Sequence, residues 1–497
     1  MHCLAMVVSL IVAAVSVLAQ PQQWEGSVEL PGGASLGFSV VLDGDKGTIS
    51  IPDQGATDLA LTDVTTSDKE IRFTLIPGGT KVEKAHARWT LTPDADGKAA
   101  TGLLRQMGGE FKTTMRRLAQ GEQPRNNRKP QDPVGPFPYQ SIDVTIDVPK
   151  HVDAGGKVTG GITLAGTLTV PEGKGPHPAV VLVSGSGPQN RDEELLGHRP
   201  FAVLADHLSR RGIAVLRYDD RGVGKSTGSF AAATSVDFTD DAAAALAFLR
   251  TRAEVDPKRS GIAGHSEGGL IGPMVASRFA ASPAMGPAFL VLLAGPGMDS
   301  VSLIVLQSKL IATASGVSET DAQRNAKAAG EVFALIRANV GKAEFVEKVR
   351  TLITAEAGID PELRGKTGDE LKSLVDARVE QQWSQLSSPW FRWFLEANPA
   401  DYLATIKVPV LAINGGKDVQ VPPKENLAII ERVLKESGNP NVTIQELPGL
   451  NHLFQTCTTG GPSEYATIQE TFAPAALDVV SNWIRRQTGL EVPASGG

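Results

Sequence analysis

The sequence predicts an α/β architecture: a mostly parallel sheet with helices on both faces, interrupted by a helical cap and preceded by an antiparallel β domain. Three observations carry this expectation. From about residue 141, strand-like runs alternate with amphipathic helical stretches, the signature of layered α/β folds. Ala179 to Ser184 is a nearly continuous apolar run, as a strand buried on both faces requires. Residues 24 to about 118 instead alternate apolar and polar with period two, as half-buried strands do.

In chain order, the first element is a targeting segment. Leu4 to Leu18 is almost wholly apolar, and Val17-Leu18-Ala19 ends in small residues before Gln20, so residues 1–19 read as a signal peptide cleaved near Ala19. Export to a periplasm or the medium is the corresponding expectation. Met1-His2-Cys3 lacks the usual Lys or Arg, which leaves an uncleaved anchor as the alternative. The apolar run is shorter than the roughly 20 residues of a spanning helix, and the mature chain offers no other span.

Residues 20–118 form the all-β domain. Ser27 to Leu30, Thr48 to Ile51 and Arg72 to Leu75 alternate, separated by Pro31-Gly32-Gly33, Asp43-Gly44-Asp45, Pro77-Gly78-Gly79 and Asp96-Gly97. An antiparallel sheet or small barrel follows from that pattern, with a structural or substrate-gating role. Residues 119–140 carry Pro124, Pro130, Pro133, Pro136 and Pro138 among polar residues, a linker composition.

The α/β part is expected over 141–297 and 401–490. Its first helix starts near Pro200, shows a stripe of Phe201, Leu204, Ala205 and Leu208, and stops before Gly212. Strands follow at Gly212 to Leu216, Ser260 to Gly264, Phe289 to Leu293, Val408 to Asn414 and Val442 to Glu446. A closing helix over about 474–486 puts Leu477, Val480, Trp483 and Ile484 on one face. Residues 298–400 read as the helical cap, ending in Trp390, Phe391, Trp393 and Phe394.

Composition narrows the function. The 497 residues suggest two or three domains, with 41% apolar and 21% charged residues, ordinary for a globular protein. The net charge of -7 is spread along the chain, without the basic face that a nucleic-acid partner needs. The two cysteines are Cys3, inside the targeting segment, and Cys457, so the mature chain can form neither an internal disulfide nor a Cys-based metal site. No oligomeric state is legible.

The strongest motif is Gly264-His265-Ser266-Glu267-Gly268, a G-x-S-x-G turn between a strand and a helix. The flanking glycines allow the strained backbone that exposes a serine nucleophile. Serine is a weak nucleophile and needs a general base, itself oriented by an acid. His452 is the one histidine after Ser266 and follows the Val442 strand. Asp418 follows the Val408 strand through Gly415-Gly416-Lys417 and is the expected acid; Asp401 and Asp478 are rivals that follow no strand end. The oxyanion requires preorganised N–H donors. The Glu267 N–H is one, and the Ser184-Gly185-Ser186-Gly187-Pro188 loop supplies the other, from Ser186 or next from Gly187. Trp390 and Phe391 are candidate substrate contacts, competing with a plain core role. Gly222-Val223-Gly224-Lys225-Ser226 superficially evokes a phosphate loop, but the first glycine of that motif would fall on Asp219. That stretch reads as a tight loop held by charge pairs, with Arg191, Asp192 and the Glu267 side chain also structural. Metal-ligand spacing such as H-E-x-x-H is absent.

At these residues the chain resembles α/β-hydrolase serine esterases over about 140–487, particularly exported bacterial ones with an added N-terminal β domain. Four blocks carry the resemblance: Ser184 to Asp192, Tyr218 to Ser226, Gly264 to Gly269 and Gly415 to Asp418. It implies an α/β-hydrolase fold and hydrolysis of a small-molecule ester, with Ser266 as nucleophile, Asp418 as acid, His452 as base and no metal or organic cofactor. The first block departs from the common His-Gly oxyanion signature, with Ser184 where His often stands. Peptidase or thioesterase chemistry would use the same three residues. A non-catalytic binding protein is the reading from another class.

Overall fold

The computed structural model describes residues 21–29, 35–51, 56–76, 86–106, 109–119, 129–152, 158–356 and 363–491. The expected targeting segment 1–19, with Cys3, lies outside the described residues. The chain divides into two compact units, Met1–Arg128 and Lys129–Gly497.

In the first unit eight strands close into an antiparallel barrel: β1 (Gln22–Glu29), β2 (Ser35–Asp43), β3 (Lys46–Ile51), β4 (Ala56–Thr66), β5 (Ile71–Leu75), β6 (Ala87–Pro93), β7 (Ala99–Gln106) and β8 (Gly109–Arg117). Strands β1 and β8 pair from Trp24 opposite Arg117 to Val28 opposite Thr113, which removes the open edges. Period-two alternation sends Ala87, Trp89 and Leu91 inward, where Trp24, Phe38 and Phe73 join them. The Phe73 and Trp89 rings stack at 5.1 Å. An eight-stranded barrel is just narrow enough for side chains to fill it, and these do.

The second unit is built on an eight-stranded sheet. Its strands are β9 (Tyr139–Val148), β12 (Ile162–Pro171), β13 (His177–Val183), β14 (Ala214–Tyr218), β15 (Val255–His265), β16 (Leu290–Leu293), β17 (Val410–Gly415) and β18 (Val442–Leu447). A two-stranded ribbon, β10 (His151–Val152) with β11 (Val158–Thr159), sits between β9 and β12 in the chain. The spatial order is β18-β17-β16-β15-β13-β14-β12-β9. Neighbours from β18 to β14 run parallel, whereas β12 and β9 are antiparallel.

Both faces are covered. Ala179, Val181 and Val183 of β13 point to one side, against α2 (Ser235–Arg250), α3 (Gly268–Arg278) and α10 (Pro423–Glu436). Val180 and Leu182 point to the other, against α1 (Pro200–Ser209) and α11 (Pro474–Gln487). The expected stripes of α1 and α11 are the buried faces of those helices.

Between β16 and β17 lie α4 (Ser300–Ala314), α5 (Glu319–Arg337), α6 (Lys342–Glu356), α7 (Gly368–Leu386), α8 (Pro389–Glu396) and α9 (Pro399–Leu403), with no strand among the described residues. This insertion has its own apolar core, including Phe333, Phe345 and Val379. No helix among the described residues is long and apolar enough to cross a membrane.

The Pro-rich stretch differs from a free linker at its C-terminal end. Lys129 Nζ donates to the carbonyls of Ala466 and Ile468, Gln131 bonds Thr471 and Phe472, and Asp132 is buried. Residues 129–132 are thus docked on the sheet unit, because Lys129 and Gln131 find main-chain partners that composition cannot reveal.

Candidate active site

The chain passes from β13 through α1 to β14 on one side, then through α2 to β15 on the other. The C-terminal ends of β13 and β15 are therefore the point where strand order reverses, where parallel sheets leave a crevice for ligands. Ser266 and the Ser184–Pro188 loop sit at these two ends.

Ser266 has φ +53°, in the left-handed region that a non-glycine residue enters at a cost. The turn holds it there. Ser266 N donates to Leu293 O at 2.8 Å, and Gly269 N donates to Ser266 O at 2.8 Å. Gly264 and Gly268 permit the close approach: a Cβ on Gly264 would lie 1.9 Å from Gly268 O, and one on Gly268 2.1 Å from Val183 O.

The other two expected residues come from neighbouring loops. His452 Nδ1 lies 2.8 Å from Asp418 Oδ2, both side chains being buried. Asp418 Oδ1 accepts the N–H groups of Gln420 and Val421, each at 2.8 Å. The carboxylate can only accept, so Nδ1 donates, and in the neutral ring Nε2 is then the acceptor. Asn451 Oδ1 accepts from Leu453 N and Gln455 N and stiffens the His452 loop. Ser266 and His452 line one cavity of about 470 Å³. No hydrogen bond yet joins hydroxyl and imidazole; such bonds often tighten only around substrate. The rivals lie elsewhere. Asp401 is in α9, with Asn398 on its carboxylate, and Asp478 is in α11, paired with Arg211.

Among the described residues, the N–H groups of Glu267 and Ser186 have no hydrogen-bond partner, whereas Gly185 N donates to Glu193 Oε1 at 2.7 Å. The loop bearing Ser186 is anchored by the residues after β14. Asp220 accepts from Ser184 Oγ and Gln189 N, and Asp219 holds the Arg191 guanidinium through two bonds. Burial pushes Asp220 well above the usual carboxylate range. Burial also opposes the charge of Asp219, yet its bonds to Arg191 hold its pKa below the ordinary value. Arg221 forks onto Asp241 at 2.7 and 2.8 Å. The charged loop after β14 is therefore a brace for the neighbouring loop.

A family model described as Alpha/beta hydrolase family matches residues 180–458, more than half of the chain. The chain belongs to the alpha/beta hydrolase family. Esterase EstD of Thermotoga maritima is 30% identical over 324 residues, a match spanning 64% of this hydrolase and 66% of that protein, just under two thirds of its length. A hypothetical protein of Pseudomonas aeruginosa has a solved structure with TM-score 0.41 and 17% identity, covering 74% of this hydrolase and 98% of that chain. An esterase of Pyrococcus furiosus has TM-score 0.37 and 19% identity, covering 65% and 89%.

The helical insertion lines this hydrolase's cavity. Trp390, Phe391 and Phe394 of α8 and Leu303, Ile304 and Gln307 of α4 line it, opposite Leu195, Leu196 and Tyr465. Trp393 instead packs into a small core with Leu270 and Met274. The Trp390 Nε1–H donates to Glu267 Oε1 at 2.7 Å, which also accepts from Ser235 Oγ at 2.5 Å. Burial raises the pKa of Glu267 above its ordinary value. Its side chain ties the cap to the serine turn, a partnership without sequence signal. The α4 contacts were equally hidden, since a helical stripe does not say which residues face a cavity. Glu193 and His265 also line the wall; His265 is visible in the serine motif, Glu193 in no motif.

Proposed function

We propose that this hydrolase is a serine esterase cleaving small-molecule carboxylic esters of small or medium acyl chains through an acyl-enzyme on Ser266. The observation that carries the reading is His452, bonded to Asp418, lining the same cavity as the left-handed Ser266. The likeness to Esterase EstD supports ester hydrolysis. The cavity volume of about 470 Å³ lies toward the lower end of small-molecule sites, roughly 300–1,000 Å³. Its apolar cap side favours uncharged acyl groups.

In this mechanism His452 Nε2 takes the Ser266 proton as Oγ attacks the ester carbonyl. The N–H groups of Glu267 and Ser186 hold the oxyanion. The imidazolium then protonates the leaving alcohol, with Asp418 orienting it. Water, deprotonated by His452, releases the acid and restores Ser266. Trp390 and Phe391 contact the acyl group.

A panel of p-nitrophenyl esters of rising length, aminoacyl amides and acyl thioesters tests the reading. Esters should be the best substrates, and Ser266→Ala should lose about 10³-fold or more in turnover while remaining folded. Near-normal hydrolysis by that variant, or no fluorophosphonate adduct on the wild type, would reject it. The N-terminal signal further supports export after cleavage near Ala19. Mass measurement of protein from periplasm or medium should find a chain starting at about residue 20; an intact Met1 would refute cleavage.

A further inference from the structure

His265 stands beside the nucleophile with no part in the steps above. Its ring is buried and bonded at both nitrogens. Nδ1 lies 2.9 Å from Glu193 Oε1, and Nε2 lies 3.0 Å from the main-chain carbonyl oxygen of His452. An ionised carboxylate and a carbonyl can only accept, so beside ionised Glu193 both ring nitrogens donate, and the species that does so is the imidazolium. Its ring also lies 4.8 Å from the His452 imidazole, tilted at 46°, and its apolar neighbours include Phe201, Leu293, Phe454 and Phe472. Asp418 is the further charge that acts on it, also negative. Burial works against the cation, but Glu193 overcomes it, and the pKa of His265 lies above that of a free histidine.

The same Glu193 oxygen accepts the Gly185 N–H at 2.7 Å, one residue before Ser186. Glu193 itself has φ +52°, a conformation kept only where surrounding contacts over-determine it. One continuous chain of bonds therefore runs from the loop bearing Ser186, through Glu193 and His265, to the backbone of His452. His265 directly precedes Ser266.

We propose that His265 is a positioning residue held as an imidazolium. With Glu193 it locks the oxyanion loop, the nucleophile turn and the His452 loop into one register. The inference rests on the esterase reading for its kinetic consequence, though not for the charge state.

Two measurements test it. Nitrogen-15 spectra of histidine-labelled full-length protein at pH 7 should show one ring with both nitrogens protonated, missing in His265→Gln. A neutral, singly protonated His265 at pH 7 would overturn the proposal whatever the protein hydrolyses. Kinetically, Glu193→Gln keeps the shape but weakens the pair. It should lower kcat by roughly 10- to 100-fold, the cost of misplacing reacting groups by about an ångström, with KM changed less than about twofold. His265→Gln should lose a similar factor, and the double variant little more, since the two act as one unit. The extent of fluorophosphonate labelling counts folded sites, and its rate should fall with kcat. Unchanged kcat per labelled site, a loss confined to KM, or fully additive losses would each overturn the positioning role. Failure of the esterase reading would appear separately, as hydrolysis surviving in Ser266→Ala.

Discussion

Two buried histidines show how partners set protonation. His198 places Nδ1 2.9 Å from the Thr471 hydroxyl and Nε2 2.9 Å from Tyr465 O. The hydroxyl can donate, so a neutral ring satisfies both bonds, whereas His265 faces two pure acceptors. Burial lowers the His198 pKa to about 4, from about 6.5 for a free imidazole. Between those values the unfolded chain binds a proton that the folded chain refuses. The stability contributed by a neutral His198 is therefore whole above pH 6.5 and is lost as pH falls toward 4. His198→Gln removes that titration. The melting temperature of the wild type relative to this variant should drop as pH is lowered from 7 to 4. A difference constant across that range would contradict the assignment.

At the scale of elements, α8 determines the shape of the cavity. Its aromatic quartet is divided by helical spacing: Trp390, Phe391 and Phe394 face the cavity, and Trp393 packs against α3. The Trp390 and Phe394 rings stack at 5.1 Å, and Glu267 fixes the indole from the far side of the serine turn. Trp390→Ala should open the acyl end and move the kcat/KM optimum toward longer acyl chains. The expected change is about 10-fold in the ratio of long to short esters, since a methylene is worth roughly 1–3 kcal/mol in an apolar pocket. An unchanged chain-length profile would make Trp390 a core residue only. The quartet was legible in the sequence as an aromatic cluster. Its division was not, because the facing residues come from α4 and from the loop before α1.

At the scale of the molecule, each of the two units carries its own apolar core. All residues of the proposed site lie after Lys129. A chain starting at Lys129 should therefore fold and label at Ser266 with a fluorophosphonate at a rate within about threefold of the full chain. An unfolded or unlabelled product would show that the barrel is required. The sequence by itself determined the antiparallel β pattern before residue 118, the alternation of strands and helices after 141, and Ser266, Asp418 and His452 as candidates. These features are written in local periodicity and turn chemistry, which a chain expresses within a few residues. Tertiary structure alone decided that β1 closes on β8, that residues 129–132 dock, and that His265 bridges Glu193 and His452 across 72 and 187 positions. Such contacts depend on which strand ends meet, and no spacing along the chain encodes that meeting.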